Sequence, residues 1–441
     1  MTSDRHLPVA IVGGGFSGTM VAAQLARKGI ESVLIDGAGR AGHGVAYSTR
    51  EPAHVLNVRA EVMSAWADDL EHFVRVAEAD GGSRRDFVQR KQFGRYLRGI
   101  LKEALESGRL RLVEQSAVEA EPVEDGWTLQ LDNGEQVRAS GLVLAIGNQP
   151  PEPLPFGRDG KRVINNPWSA DALAAIENLA ETSEDVLLVG TGLTMVDAVL
   201  SLDAAGHRGR IVALSRRGLV PRGHTDDAVP APVDVEHVPL GHVRTIWRWL
   251  RKRGAEVGWR SAVDALRPHS HRLWQSLPLH EQKRFARHAR PWWDVHRHRI
   301  APEVAAQLQS LIGEDRLQIV AGRIQSVVDD DRGLDVSYRR RGSSRVDQGR
   351  FAYMINCTGP LGTISRTRDP LLKGMLADGL IRPDQLGIAL DVDERSRVAG
   401  SERAWAMGPL TKGRYWEIIA VPDIRGQAAA VADDIAMELG R

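Results

Sequence analysis

Pro8-Val9-Ala10-Ile11-Val12-Gly13-Gly14-Gly15-Phe16-Ser17-Gly18, running on into a helical pattern that ends near Lys28, is the stretch on which the fold turns. A short apolar run that stops at a glycine cluster reads as a buried strand turning sharply into a helix. The glycines have separate tasks. Gly13 permits the tight turn, Gly15 lets the backbone approach a pyrophosphate with no Cβ in the way, and Gly18 lets the helix pack closely on the strand, with Gly14, Phe16 and Ser17 completing the loop. The helix N-terminus then offers unpaired N–H groups and the positive end of its dipole to phosphate. A second apolar run, Ser32-Val33-Leu34-Ile35, ends at Asp36, whose carboxylate can accept hydrogen bonds from both hydroxyls of an adenosine ribose and would repel a 2′-phosphate. The competing reading is a glycine-rich turn in some other α/β unit. The order of strand, motif, helix, strand and acid favours a dinucleotide site.

The pattern occurs twice. Asp185-Val186-Leu187-Leu188-Val189 leads into Gly190-Thr191-Gly192-Leu193-Thr194-Met195 and a helix over about 193–202. Met195 stands where a third small residue is usual, so helix and strand should be held further apart there. The next strand, Arg210-Ile211-Val212-Ala213-Leu214, ends in Ser215-Arg216-Arg217 and not in an acid. An arginine fork matches a 2′-phosphate in geometry and charge, which favours NADPH over NADH. A solvated arginine pair at a strand end is the alternative.

The composition fits a large cytoplasmic enzyme. With 441 residues, 26% of them charged, and a formal net charge of +1, the chain can hold two or three domains and is a poor candidate for a polyanion-binding protein. The polar start over residues 1–6 speaks against a signal peptide, and no run approaches the ~20 apolar residues of a membrane span. Cys357 is the only cysteine, which excludes an intrachain disulfide or dithiol relay and suits a reducing compartment. Lying in Tyr353-Met354-Ile355-Asn356-Cys357-Thr358-Gly359, it reads as a small buried hydrophobe more readily than as a reactive thiol. No metal site is expected, because His296 and His298 are two apart and point to different faces of a helix.

Gly141-Leu142-Val143-Leu144-Ala145-Ile146-Gly147 and the 355–359 run both look like buried strands ending in a glycine turn, and Pro150, Pro151, Pro153 and Pro155 stiffen the exit from the first. Together these imply an α/β fold with two Rossmann-like domains. The first, discontinuous, is expected over 1–165 and 325–441. The second, over 166–324, is inserted in it and carries a helical segment at about 235–311. Asp132-Asn133-Gly134 marks a hairpin, and residues 334–351 read as another, both assigned to the first domain.

The helical segment interleaves Trp247, Trp249, Trp259, Trp274, Trp292 and Trp293 with Arg and His. Three readings compete: a cap that recognises a planar or anionic substrate, a structural insertion with snorkelling arginines, and a surface for nucleic acid or membrane. The overall charge disfavours the last.

Gly42-His43-Gly44-Val45-Ala46-Tyr47-Ser48-Thr49, Leu56-Asn57-Val58-Arg59-Ala60 with Met63-Ser64, the second fingerprint with Asp197, and Leu214-Ser215-Arg216-Arg217-Gly218 resemble bacterial FAD/NAD(P)-binding proteins of the YdhS type. More widely, nearly the whole chain resembles the two-dinucleotide-binding flavoproteins, which include class B flavin monooxygenases and thioredoxin reductases. The resemblance implies FAD held by Gly13, Gly14, Gly15, Phe16, Ser17, Gly18 and Asp36, with Gly44, Val45, Ala46, Tyr47, Asn57, Met63 and Gly147 around the flavin. It implies Gly408, Pro409 and Leu410 along the ribityl chain, where Pro409 replaces a usual Asp. NADPH would be held by Gly190, Thr191, Gly192, Leu193, Thr194, Ser215, Arg216 and Arg217. The implied activity is a single-component monooxygenase that uses O2 to hydroxylate a small polar molecule, urate or a related purine first and an amine second. Candidate groups at the reacting centre are His43, Tyr47 and Trp66, which would exclude water, with His43 also a candidate proton donor. Ile164 replaces the histidine of the Baeyer-Villiger motif, which counts against that chemistry. An NADPH oxidoreductase serving a quinone or protein partner, and a non-catalytic redox sensor, stay open, as does a homo-oligomer.

Overall fold

In the computed structural model, residues 7–157, 161–180, 182–225 and 231–440 are described. The first strand, β1 (Val9–Val12), is fully buried and leads through the glycine loop into α1 (Phe16–Arg27). β2 (Ser32–Ile35) follows, then the single turn α2 (Gly44–Tyr47), and the helices α3 (His72–Ala79) and α4 (Arg90–Glu106). β3 (Leu110–Val113) completes this side of the sheet. A three-stranded antiparallel meander comes next: β4 (Ala117–Val123), β5 (Gly126–Leu131) and β6 (Gln136–Ala139), with the Asp132-Asn133-Gly134 turn joining the last two as expected. β7 (Gly141–Leu144) then enters the parallel sheet beside β1.

The second unit begins with β8 (Val163–Ile164) and α5 (Ala170–Leu179). β9 (Val186–Val189), α6 (Leu193–Ala204) and β10 (Ile211–Ser215) repeat the strand–loop–helix–strand pattern. Five short helices follow: α7 (Val243–Val257), α8 (Trp259–Leu266), α9 (Ser270–Ser276), α10 (Leu279–Arg284) and α11 (Arg290–Arg297), with a π-helical turn over Phe285–Ala289 between the last two. After α12 (Pro302–Gly313) come β11 (Leu317–Asp330), β12 (Gly333–Arg340), β13 (Val346–Phe351) and β14 (Tyr353–Asn356). The chain then crosses back through α13 (Pro370–Ala377) and β15 (Ala404–Ala406) to α14 (Val421–Glu438).

The first sheet is parallel, with strand order β15-β7-β1-β2-β3. The second has the order β13-β12-β11-β10-β9-β14-β8, parallel from β8 to the start of β11 and antiparallel beyond. This pairing moves both expected domain boundaries. β8 lies before residue 165 yet pairs with β14 in the second sheet. Residue 325 falls inside β11, whose first residues pair with β10 and whose remainder pairs with β12. The 334–351 hairpin therefore extends the second sheet, and the chain returns to the first only after β14. The strand changes partner at Gly322 and its register shifts between Ile324 and Ser326, so a single continuous strand serves two neighbours.

Ligands of doubly wound sheets sit outside the carboxyl ends of the strands, where strand order reverses. In the first sheet that place lies between β1 and β7, at Gly13 and Ala145; in the second it lies between β9 and β14, at Gly190 and Cys357. Cys357 is buried within the second unit's core, and burial pushes its thiol well above the ordinary range, so it behaves as the small hydrophobe expected.

Candidate functional site

The two glycine loops are built alike. Gly13 has φ +105°, and a Cβ there would lie 2.5 Å from the Ala145 carbonyl oxygen; Gly190 has φ +120° and presses in the same way on the Cys357 carbonyl. Both positions need glycine for conformation and for space. α1 and α6 start with Gly15 and Gly192 as N-caps, and neither helix has a side-chain cap, so their first N–H groups face outward as an anion site requires. They differ at the third position. A Cβ on Gly18 would collide with the Gly13 carbonyl oxygen, whereas the second unit buries the whole Met195 side chain there.

Asp36 closes over the first loop. Its Oδ1 accepts from the Ala38 N–H at 3.1 Å, and a Cβ on Gly14 would meet its Oδ2 at 2.6 Å. Gly44, with φ +55°, stands so close to Gly15 that an added Cβ would come within 2.8 Å of the Gly15 Cα. Gly408, the start of a 3-10 turn over Gly408–Thr411 with Pro409 and a buried Leu410, lies against Ser17 and donates its N–H to Gln427 Oε1 at 2.8 Å. Thus the structure gathers Gly13 to Gly18, Asp36, Gly44 and Gly408 around one helix N-terminus. Gly147 has φ +78° and open space where its Cβ would be. Val45 and Ala46 are exposed, while Met63 is buried in the core.

Of the three candidates for the reacting centre, two sit on this loop. The His43–Tyr47 turn rests on Gly94 of α4, where a Cβ would fall 2.5 Å from the Tyr47 carbonyl oxygen. His43 Nδ1 lies 3.2 Å from the Ala41 carbonyl, and burial lowers its pKa, which keeps the ring neutral. The Tyr47 ring packs edge-on to Phe93 at 4.7 Å, and burial pushes its hydroxyl pKa up to about 12, against the pull of Arg90. Trp66 does not belong with them. It is buried with the Arg27 guanidinium over its face, at the C-terminal end of α1. That end is about 17 Å along the helix from the phosphate-facing N-terminus, at 1.5 Å per residue.

In the second unit, Thr191 Oγ1 meets Ser215 Oγ at 2.9 Å, and Ser215 Oγ also accepts from the Gly218 N–H at 2.9 Å. Ser215 thereby shapes the loop that carries Arg216 and Arg217. Beside that loop is a cavity of about 360 Å³ lined by Arg216, Arg217, Arg287, His288, Arg323 and Arg341. A Cβ on Gly192 would meet nothing within 4 Å, which leaves the backbone open to a pyrophosphate.

The tryptophans of the insertion are mostly packing, not lining. Trp247, Trp249 and Trp259 surround its own small core, Trp274 stacks on Trp416 at 4.7 Å and donates to the Gly413 carbonyl, and Trp293 donates to Glu417 Oε1 at 2.8 Å. Trp292 alone of the six is exposed. Of the three readings the packing fits the structural insertion, which is docked on residues 413–417, just ahead of α14. Apolar rings with one polar edge are well suited to such a seam.

Two features add to the sequence reading, the first by giving Asp197 its partner. Arg90 on α4 grips Asp197 on α6 through two hydrogen bonds of 2.8 and 2.9 Å and donates Nε to the Val55 carbonyl, joining the two units at a site where the side chains are only 12% and 7% exposed. Beside it, His54 Nε2 lies 3.0 Å from the Asp197 carbonyl and 3.1 Å from Ser201 Oγ. Lys412, directly after the Gly408 turn, is lowered to about 8 by burial and by Arg290 while Asp384 opposes. Its proton is therefore exchangeable near neutral pH, next to the turn assigned to the ribityl chain.

His224 gives a pH test of the same junction. Its Nε2 reaches the Asn57 carbonyl at 2.9 Å, and burial with the charges of Arg299, Arg59 and Arg260 lowers its pKa to about 4. An unfolded chain takes up that proton near pH 6.5. Between these values the unfolded state holds more protons, so this contribution to stability is whole above about pH 6.5 and is lost progressively toward pH 4. His224→Gln, which keeps a donor for Asn57, should show a shallower fall in melting temperature across that range. An unchanged fall would contradict the assignment.

Comparisons with known proteins bear on the fold. Residues 10–149 match the FAD-NAD(P)-binding family model, so the first unit is an FAD/NAD(P)-binding domain. Over 206 residues, 44% of this chain, the sequence is 26% identical to the Baeyer-Villiger monooxygenase ATR8 of Stachybotrys chlorohalonatus; the match spans about a third (31%) of that protein. Among solved structures, L-lysine 6-monooxygenase from Pseudomonas syringae superposes with a TM-score of 0.69 at 17% identity, covering 98% of this chain and 99% of that one. Ornithine N-hydroxylase from Kutzneria sp. 744, with reduced FAD, NADP+ and L-ornithine, gives 0.68 at 15%, covering 98% and 100%. Bacillithiol disulfide reductase from Staphylococcus aureus gives 0.61 at 14%, covering 98% and 99%. The chain thus has the fold of the two-dinucleotide-binding flavoproteins. Among the described residues, no helix is long and apolar enough to cross a membrane.

Proposed function

We propose that this protein is an FAD- and NADPH-dependent monooxygenase of the cytoplasm that hydroxylates a small polar molecule with O2. The observation that carries the reading is the pairing of two uncapped, glycine-led helix N-termini with opposite chemistry beside them: a carboxylate, Asp36, at the first and an acid-free basic cavity at the second. The residues fit the groups. Gly13, Gly15, Gly18, Asp36, Gly44 and the Gly408–Leu410 turn would hold FAD; Gly190 to Thr194 with Arg216 and Arg217 would hold NADPH. Bound there, the two cofactors supply hydride transfer and the activation of O2.

The chain's own residues supply orientation, dryness and proton control. The Arg90–Asp197 clamp and His54 close the seam between the units and keep water from it, while Tyr47 packs on the first unit's core against Phe93. His43 is held neutral and Tyr47 protonated, which leaves Lys412 Nζ as the group beside the Gly408 turn that can give or take a proton near pH 8. The single cysteine is buried, so the dithiol relay of a disulfide reductase has no counterpart in this chain.

Two solved neighbours are an L-lysine 6-monooxygenase and an ornithine N-hydroxylase, which makes a primary amine the first substrate class to test and urate or a related purine, suggested by the wider flavoprotein resemblance, the second. The expected result is O2 uptake that rises with one substrate of the panel and matches the product formed. Steady NADPH oxidation that instead passes its electrons to a quinone, with no oxygenated product, would favour an NADPH:acceptor oxidoreductase.

A further inference from the structure

The cavity at the end of β10 holds more positive charge than the strand-end pair contributes. Arg216 and Arg217 come from the loop after β10, Arg323 from β11, Arg341 from the turn that follows β12, and Arg287 with His288 from the π-helical turn between α10 and α11. Among the described residues, none of the five arginines is ion-paired with a carboxylate. Guanidinium groups gathered without a counter-charge repel one another, and the arrangement is relieved by an anion that carries more than one charge and several acceptor oxygens.

The π-turn is not a loose end. On the α10 side, Glu281 is almost fully buried, accepts from the Val243 N–H at 2.8 Å and pairs with Arg284. On the α11 side, Trp293 and Arg297 both hold Glu417, at 2.8 and 3.2 Å. Between these anchors the widened turn directs two consecutive residues, Arg287 and His288, outward over the cavity. A π-bulge in an otherwise α-helical run commonly marks a site of function.

We propose that the helical insertion is an NADP(H)-recognition element: Arg287 and His288 close over the 2′-phosphate from the insertion, while Arg323 and Arg341 meet it from the sheet. This rests on the NADPH reading above and assigns much of the cofactor's specificity to residues outside the dinucleotide unit. It also ties nucleotide binding to the seam at residues 413–417, because the same α11 that carries the turn holds Glu417.

The test is calorimetric titration of the full-length, FAD-loaded protein with 2′,5′-ADP and with 5′-AMP, which differ only in the 2′-phosphate. The protein should bind 2′,5′-ADP at least about tenfold more tightly, a margin that shrinks with added salt. The double variant Arg287→Ala/His288→Ala, and separately Arg323→Ala, should each weaken 2′,5′-ADP about tenfold or more and leave 5′-AMP unchanged. Unchanged 5′-AMP binding also shows that the variants are folded. If both variants bind 2′,5′-ADP like the parent while Arg216→Ala loses the discrimination, the insertion has no such role and the NADPH reading stands. If the parent binds the two nucleotides equally, the NADPH reading fails and this inference with it.

Discussion

Gly18→Ala should yield a protein that no longer retains FAD. The added methyl collides with the Gly13 carbonyl oxygen, at the turn that must also keep Gly13 against Ala145. Either α1 moves away from β1 or the loop opens, and both displace the N–H groups that face the pyrophosphate. Overpacking of this kind costs about 1–3 kcal/mol in stability. The larger effect is on the cofactor: affinity for FAD should fall about a hundredfold or more, since the phosphate cradle itself is displaced and about 2.7 kcal/mol is enough for that change. The matching change in the second unit, Met195→Leu, conserves volume and should cost less than about 1.5 kcal/mol. Reconstitution with FAD, followed by visible absorbance and by thermal melting, separates the two outcomes. Wild-type flavin content in Gly18→Ala would contradict the cradle.

Breaking the clamp between the units should give the second large effect. Arg90→Ala leaves the Asp197 carboxylate buried without its guanidinium, and removal of one partner of a buried pair costs about 3–5 kcal/mol. The Val55 carbonyl loses its Arg90 donor as well. Arg90→Met combined with Asp197→Leu removes both charges and keeps the volume, so it should be markedly more stable than either Arg90→Ala or Asp197→Ala. Urea unfolding of the four proteins measures this directly. A single variant as stable as the parent would show that the pair is exposed in solution and that the seam is wet.

What was legible in the sequence was what short, contiguous chemistry encodes. The strand–glycine–helix segments, the Asp36 carboxylate, the arginine fork and the hairpin at 132–134 are each read from a few contiguous residues; the strands, helices and hairpin form there, Asp36 lies against the first glycine loop, and Arg216 and Arg217 line the basic cavity. The domain return was misplaced because β11 passes from one partner strand to another within a single continuous strand, at Gly322. Trp66 sits beside a motif in the chain yet packs at the wrong end of α1, since proximity in sequence says nothing of direction along a helix. The insertion's tryptophans left a recognition surface and a structural insertion both open, because stacking on a ligand and stacking on Trp416 need the same residue type. The basic cavity draws on four segments spread over more than a hundred residues, and the Arg90–Asp197 pair spans a similar distance, so neither leaves a local trace.

The central claim is that FAD and NADPH occupy facing cradles with the hydride passing between them. Anaerobic stopped-flow mixing of the FAD-loaded protein with NADPH or NADH, followed through the visible flavin band, tests it most directly. Full bleaching by NADPH, with NADH slower or needing far higher concentration, is the expected result; a protein that takes up no flavin, or a flavin that neither nucleotide bleaches, would contradict it.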